Sequence, residues 1–372
     1  MKVRSHFRLI VAVVLLAGAA TCEVLREPRP EILRAGAHLY AYVANAGDGT
    51  VTAVDLVTLA PVETIPVGPD PASLHAHPTR KEIWGVSEGG DYAWLIETET
   101  GRVVRIPVCS QPDSLSFSPG GRLAYVACAG SDQVAAVDCA THQVVARGRT
   151  GRRPDLVRAA PNGKWVVVAN RDAASVSVLD AGTLNAVATL AVAPEPNALV
   201  VLPDSSKALV GSRTTDFVTV LRLNPPALVA RLETGGRTGA LVLKPDGGEL
   251  YDLSPDTHGL VVIDTWMNEV GDFVPLGTDP ASGVVTPDGS QLYACDRAAG
   301  RVAAVNLAYR ELLGSATTGQ QPAACTLGPE ERVLLAADAG SNDLAVIARE
   351  GPHLLTLVPV GKQPDSLAVK LF

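Results

Sequence analysis

The chain has 372 residues, 47% hydrophobic and 19% charged, the composition of a globular protein long enough to bury a sizeable core. Its formal net charge is −8, and an acidic surface argues against nucleic acid, whose phosphates demand clustered Lys and Arg. Helix-favouring blocks of Leu, Glu and Lys are scarce while Val, Thr, Gly and Pro abound, which predicts an all-β fold.

Residues 1–22 stand apart. Lys2, Arg4 and Arg8 precede an apolar run from Leu9 to Ala20 that ends in small residues. Charge, run length and small-residue exit are those of a secretory signal, and the run is short for a bilayer span. The sequence therefore predicts export to the periplasm or cell surface. Cys22 sits where a bacterial lipoprotein carries its acylated cysteine, although Ala19-Ala20-Thr21 departs from the usual residues before such a site. Ordinary cleavage after Ala19 competes with lipidation of Cys22, and both stay open. Residues 23–38, with Arg26, Glu27, Pro28, Arg29 and Pro30, read as a linker. Loss of the first 22 residues leaves 28 basic against 39 acidic side chains, a net of −11. That disfavours anionic headgroups, so a lipid on Cys22 is the one route to a membrane.

Residues 39–372 are a repeat. A segment opening on proline and closing seven residues later recurs from Pro71, Pro112, Pro154, Pro196, Thr238, Pro280, Pro322 and Pro364, at a step of 41 and then of 42. Within one unit, Lys164 to Asn170 is an apolar run, Val176 to Asp180 and Ala186 to Val192 alternate, and Pro196 to Leu202 is a fourth run. Four strands of about six residues joined by turns of about four fill the period. Second runs end at Asp55, Asp138, Asp180, Asp264 and Asn306, and Pro-Asp-Gly and related turns follow the fourth runs, as at Pro245 and Pro287.

Four antiparallel strands repeated radially make a β-propeller. The fourth run carries large residues in one phase (Leu74, Leu115, Val157, Leu199) and small or polar ones in the next (Ser73, Ser114, Ala198, Ser366). It is predicted to be innermost, where wedge-shaped packing demands small side chains. Each of the four strand types occurs eight times, which predicts eight blades, with Pro364 to Lys370 completing the first blade and closing the ring. Seven blades, the alternative, would need about 294 residues, whereas 39–372 holds 334.

Tyr42-Val43-Ala44-Asn45 and Val167-Val168-Ala169-Asn170, each followed by an alternating strand with terminal Asp, and the Val-Gly-x-x-Pro turns at Val67 and Val360, resemble the signature of the YVTN-type β-propeller repeats. The resemblance covers residues 39–372. It implies an exported, YncE-like envelope protein, related to the lactonase-type, haem d1-type and amine-dehydrogenase-type propellers. Members mostly have seven blades, so eight is a departure, and the matching residues are turn and packing positions rather than chemistry.

Cys109, Cys128, Cys139, Cys295 and Cys325 show no metal, redox or haem-attachment spacing. Cys128 and Cys139 fall at opposite ends of a hairpin and should not bridge; buried free thiols are expected. His75-x-His77 puts two imidazoles on one strand face without a nearby third ligand, so packed or surface histidines are expected. Arg158, two blades on in the phase of His75, either enters the channel or pairs with an acid. No nucleophile elbow, Walker loop or dinucleotide fingerprint occurs, and neither cofactor nor metal is expected.

Ligands of a propeller enter at the mouth carrying the outer-to-inner and second-to-third strand loops. Those loops hold Arg153, Asp155, Arg171, Arg213, Arg237, Asp296 and Arg297, the candidate ligand-binding residues. Arg152, Arg153, Arg171, Arg213 and Arg237 crowd blades four to six, a local excess that suits a carboxylate or phosphate. Asp155, Asp172, Glu195 and Asp216 lie among them, so plain surface pairing competes with a clamp. The sequence favours a non-catalytic binding or scaffold module of the cell envelope, with an envelope protein or small anionic ligand as partner. Its alternatives are a lactonase-type or redox-accessory enzyme acting at the mouth, and a surface-layer or adhesive protein.

Overall fold

Each unit folds as four strands because its apolar runs are short, β-rich and cut by turn residues at fixed places. The computed structural model describes residues 39–371; the expected leader and linker, with Cys22, lie outside the described residues. Eight four-stranded antiparallel sheets form among them. Blade 1 joins Pro364–Leu371 to Leu39–Asn45, Thr50–Asp55 and Ala60–Pro66. Blades 2 to 8 open on the inner strands Pro71–Ala76, Pro112–Phe117, Pro154–Ala159, Pro196–Val201, Ala240–Leu243, Pro280–Val285 and Pro322–Leu327. The closing pair runs Leu39↔Leu371 to Asn45↔Pro364, the closure expected from the count of runs.

Second strands such as Trp165–Asn170 are buried almost throughout, because both faces of each blade pack on neighbours. Outer strands such as Ala186–Ala191 are mostly exposed. The recurring strand-end Asp has a local cause. Asp180 Oδ1 accepts the N–H groups of Gly182 and Thr183 at 3.1 and 2.9 Å, and Asp55, Asp138 and Asp264 do the same in their hairpins. Such a carboxylate holds the turn in place of a backbone partner. The strand-end Asn of the repeat is a second lock: Asn170 Nδ2 donates to Ser175 and Ser177 at 3.1 and 3.0 Å, and Asn45 to Thr50 and Thr52.

The innermost strand is a sheet edge facing the channel, with N–H groups that need partners. The small phase supplies them. Ser366 Oγ accepts from Leu74 N at 3.0 Å, Ser73 from Leu115 N at 2.9 Å, and Ser114 from Val157 N at 2.9 Å, each hydroxyl reaching to the next blade. Wedge packing explains why these residues are small, and edge capping why many are serine.

The thiols correct the sequence reading in one place. Cys109 and Cys128 form a disulfide, with Cα atoms 5.8 Å apart, where two free thiols were expected. Cys139 and Cys295 are buried and free, as expected, and Cys325 is half-buried and free. The reason is a repeat-specific close approach. Where blade 3 has Cys109, blades 1, 4, 7 and 8 have Gly361, Gly151, Gly277 and Gly319. A Cβ there would meet the strand-end side chain Asn45, Asn170, Asp296 or Asp338 at 2.9 Å or less. Blade 3 fills both positions with cysteine, and the contact becomes a bond.

Candidate functional site

The inner strands reach the channel mouth through a bulge. In blade 4, Pro154 pairs with Asn170 and Leu156 with Ala169, so Asp155 has no cross-strand partner. Asp113, Asn197, Ala281, Ala323 and Asp365 are displaced in the same way in blades 3, 5, 7, 8 and 1. A bulge of this kind re-aims one side chain, here toward the mouth. Before each of these prolines except Pro280 the chain takes a left-handed turn: Arg153, Gln111, Glu195, Gln321 and Gln363 have φ between 48° and 54°. The cost recurs around the ring, so it belongs to the architecture rather than to chemistry.

Blade 4 and its neighbours place charge on this frame. Arg153 N donates to Asp132 Oδ1 at 2.9 Å, and Arg171 N donates to Arg153 O at 2.8 Å, so backbone bonds draw the two arginines together. Arg171 Nε lies 2.6 Å from Asp155 Oδ2. Asp155 is buried, and burial pushes its carboxyl up to about 6, with Asp113 adding to the rise and Arg171 and Arg213 opposing it. Burial also raises Asp113, assisted by Glu88 and opposed by Arg171, Arg153 and Arg213. Glu88, Asp113, Arg153, Asp155, Arg171 and Arg213 therefore form one electrostatic cluster over blades 2 to 5. Three of its buried atoms, Asp155 Oδ1, Arg153 Nε and Arg171 Nε, make no hydrogen bond; Arg171 Nε is ion-paired to Asp155, which leaves Asp155 Oδ1 and Arg153 Nε unpaired. An unpaired donor and an unpaired acceptor on near neighbours suit a small molecule carrying both functions.

The remaining candidates lie elsewhere. Arg237 is exposed and pairs with Asp256 at 3.2 Å on blade 6. Arg152 bonds the carbonyl of Asp172. Asp296 holds its own loops together: it accepts from Thr278 N, Asp279 N, Ala299 N and Thr278 Oγ1, and lies 3.4 Å from Arg301 Nε. Burial alone would raise its carboxyl, but the backbone bonds outweigh it and the pKa is lowered. Arg297 is exposed at the mouth of blade 7, its N–H on Asp279 O.

His75 and His77 do not act as a pair. His75 lines the channel beside Ser73 and Arg158, and burial with the Arg158 charge holds it down at about 4, a neutral ring. His77 is a turn lock: Nε2 bonds Gly121 O at 2.8 Å and Nδ1 accepts from Thr79 N and Arg80 N. No group of three or more His, Cys, Asp or Glu side chains suited to a metal occurs among the described residues. Arg158 does enter the channel wall, donating to Val157 O, and no ion pair to it occurs among the described residues.

A cleft of about 930 Å³ lies on the opposite face between blades 7 and 8. Its charged walls are already matched, Arg349 to Glu331 at 2.7 Å and Arg332 to Glu330 at 3.2 Å, so it offers a ligand little. The unpaired groups at the mouth make the mouth the candidate site. Sequence reasoning named Arg153, Asp155, Arg171 and Arg213; it placed Asp113 in the same mouth loops without making it a candidate, and it missed Glu88.

No family model matches the chain, and no curated protein matches it by sequence. Solved structures do resemble it. Dihydro-heme d1 dehydrogenase NirN, in complex with DHE, aligns with TM-score 0.71 at 17% identity over 88% of this chain and 74% of that one. Apo AztD from Citrobacter koseri aligns with TM-score 0.71 at 12% identity over 90% and 98%. A putative 6-phosphogluconolactonase from Bacteroides uniformis aligns with TM-score 0.60 at 19% identity over 90% and 99%. At these identities the likeness is one of fold: the chain folds as a β-propeller, as these structures do.

Proposed function

We propose that the chain is an exported, non-catalytic propeller of the YVTN type that binds a small ligand in the cell envelope. The ligand sits at the channel mouth over blades 3 to 5 and carries an anionic group beside a hydrogen-bond donor. The observation that carries this is the unpartnered pair at the mouth, Arg153 Nε and buried Asp155 Oδ1, between the guanidinium groups of Arg171 and Arg213. Arg153 and Arg213 receive the anion, Arg171 stays on Asp155, and Asp155 Oδ1 accepts from the donor. The leader-like residues 1–22 support export.

Calorimetric titration with inorganic phosphate, citrate and glycine tests the reading. At least one probe binds one to one, and Arg153→Ala and Arg213→Ala each weaken it by about tenfold or more. Arg102→Ala, which breaks a surface pair with Glu97 on the opposite face, leaves affinity unchanged. Glycine binding weakens as the pH falls through about 6, because protonating Asp155 removes the negative charge that meets the ammonium donor. Unchanged affinity in both site variants sinks the proposal. The Asp155 carboxyl near 6 also favours a second reading, an enzyme using it as general base at the same mouth; turnover of a bound probe decides for it.

A further inference from the structure

Two adjacent blades carry the three most exposed large apolar side chains among the described residues; at the other hairpin tips only Val57 of blade 1, 45% exposed, is comparable in kind. At the tips joining third and outer strands, blade 6 carries Trp266 and Met267, 69% and 66% exposed, and blade 7 carries Tyr309, 74% exposed. Blades 3, 4 and 8 have Ala140-Thr141, Gly182-Thr183 and Glu350-Gly351 there. Phe273 and Leu313, on the outer strands of blades 6 and 7, extend the patch along the rim, each 49% exposed.

The tips are held in position. Asp264 Oδ1 accepts from Trp266 N and Met267 N, both at 2.8 Å. Lys207, from blade 5, reaches Thr265 O at 2.6 Å and Asn268 Oδ1 at 2.9 Å. Arg310, next to Tyr309, crosses to Asp272 and Glu249 of blade 6, fastening the two hairpins to each other. A rigid, exposed Trp-Met tip beside a Tyr tip is a recognition surface.

Chain direction says what it meets. Inner strands descend from the mouth, so second strands begin, and third strands end, on the opposite face. Leu39 opens a second strand, which places the exit of the N-terminal segment on the face of Trp266 and Tyr309. The sixteen residues 23–38 span at most about 55 Å even fully extended. With Cys22 in a bilayer, this face stays within that distance of the lipid.

We infer that the face bearing Trp266, Met267 and Tyr309 rests on a zwitterionic lipid surface, with the ligand-binding mouth turned away from the membrane. Trp and Tyr favour the headgroup level, where ring and polar handle are both satisfied. The net charge of −11 after leader removal disfavours an anionic bilayer. The inference rests on the lipidation reading of Cys22 for its tether, and the test removes that dependence.

A mature chain with an N-terminal hexahistidine in place of Cys22 is bound to phosphatidylcholine vesicles carrying nickel-chelating lipid and brominated acyl chains. Trp84 and Trp94 are fully buried and Trp165 is half-buried, so quenching by bromine reads Trp266. Expected is a loss of roughly a quarter of the emission, absent in Trp266→Ser, with weaker retention on vesicles lacking nickel lipid for Met267→Ser/Tyr309→Ser. No quenching while the protein is held on the vesicle overturns the inference, as does a dimer that buries Trp266 in solution. Lipidation of Cys22 is read separately, by membrane fractionation of Cys22→Ser cells, so the two readings fail independently.

Discussion

Asp338→Asn should stabilise the ring, and more so as the pH rises. Asp338 ends the second strand of blade 8, fully buried, directly across from Asp343. Burial, and then Asp343, pushes its carboxyl up to about 8. An unfolded Asp titrates near 3.9, so between about pH 4 and pH 8 the folded state binds more protons than the unfolded one. Stability from this group is complete below about pH 4, falls as the pH rises through about 8, and is flat above it. Blades 1 and 4 show the alternative: Asn45 and Asn170 hold the same position and donate to Thr50 and Ser175 across the same register. Asparagine at 338 can donate to Asp343 without a proton and keep an oxygen for Gly319 N, now 2.9 Å from Asp338 Oδ2. From the two pKa values, the advantage of the variant over wild type grows by about 2–3 kcal/mol between pH 6 and pH 9. At roughly 2 °C per kcal/mol, the melting difference widens by about 4–6 °C. Urea titrations of both proteins at pH 6, 7.5 and 9 measure it, and other titrations cancel in the difference. A flat difference over that range would refute the raised Asp338 carboxyl.

Two further outcomes test the frame. Deleting residues 364–372 removes the inner strand of blade 1, its register with Leu39–Asn45 and the Ser366 cap on Leu74 N; the melting temperature should drop by roughly 10 °C or more, or soluble protein be lost. A truncated chain that melts with the full one contradicts the closure. Peptide mapping without reductant should join Cys109 to Cys128, and Cys128→Ser should cost about 3 kcal/mol in denaturant titration; separate Cys109 and Cys128 peptides would remove the bond.

What could be read from the sequence was whatever repeats. A strand-end Asp binding its own turn or a 42-residue step leaves the same trace in many units, and blade number and closure follow. What stayed hidden lies between blades. Cys109 becomes informative only beside the glycines of four other units, since the bond replaces a contact that elsewhere leaves no room for Cβ. Asp113 joins Asp155 only through a bulge on each of two adjacent inner strands, and strand alternation assigns neither. Arg237, equal to Arg153 in the sequence pattern, turned out to be tied to Asp256.

The bulge itself argues that the mouth has a purpose beyond the fold. Blades 7 and 8 make the same bulge with Ala281 and Ala323, so the architecture is satisfied by a methyl group at the position of Asp155. Placing a carboxylate there costs desolvation that its pair with Arg171 only partly offsets, as the rise to about 6 shows. Around the ring the displaced residue is polar on blades 1, 3, 4 and 5 and alanine on blades 7 and 8. A scaffold engaging a partner evenly around its mouth has no use for that asymmetry. A site for one small molecule does, because it needs unpaired groups on one side and a plain wall on the other. Asp155→Ala should then resemble blades 7 and 8: as stable as wild type or more so, yet impaired in binding any ligand that needs the donor contact. Loss of folding in that variant would return Asp155 to the architecture and remove the main reason for placing a site at this mouth.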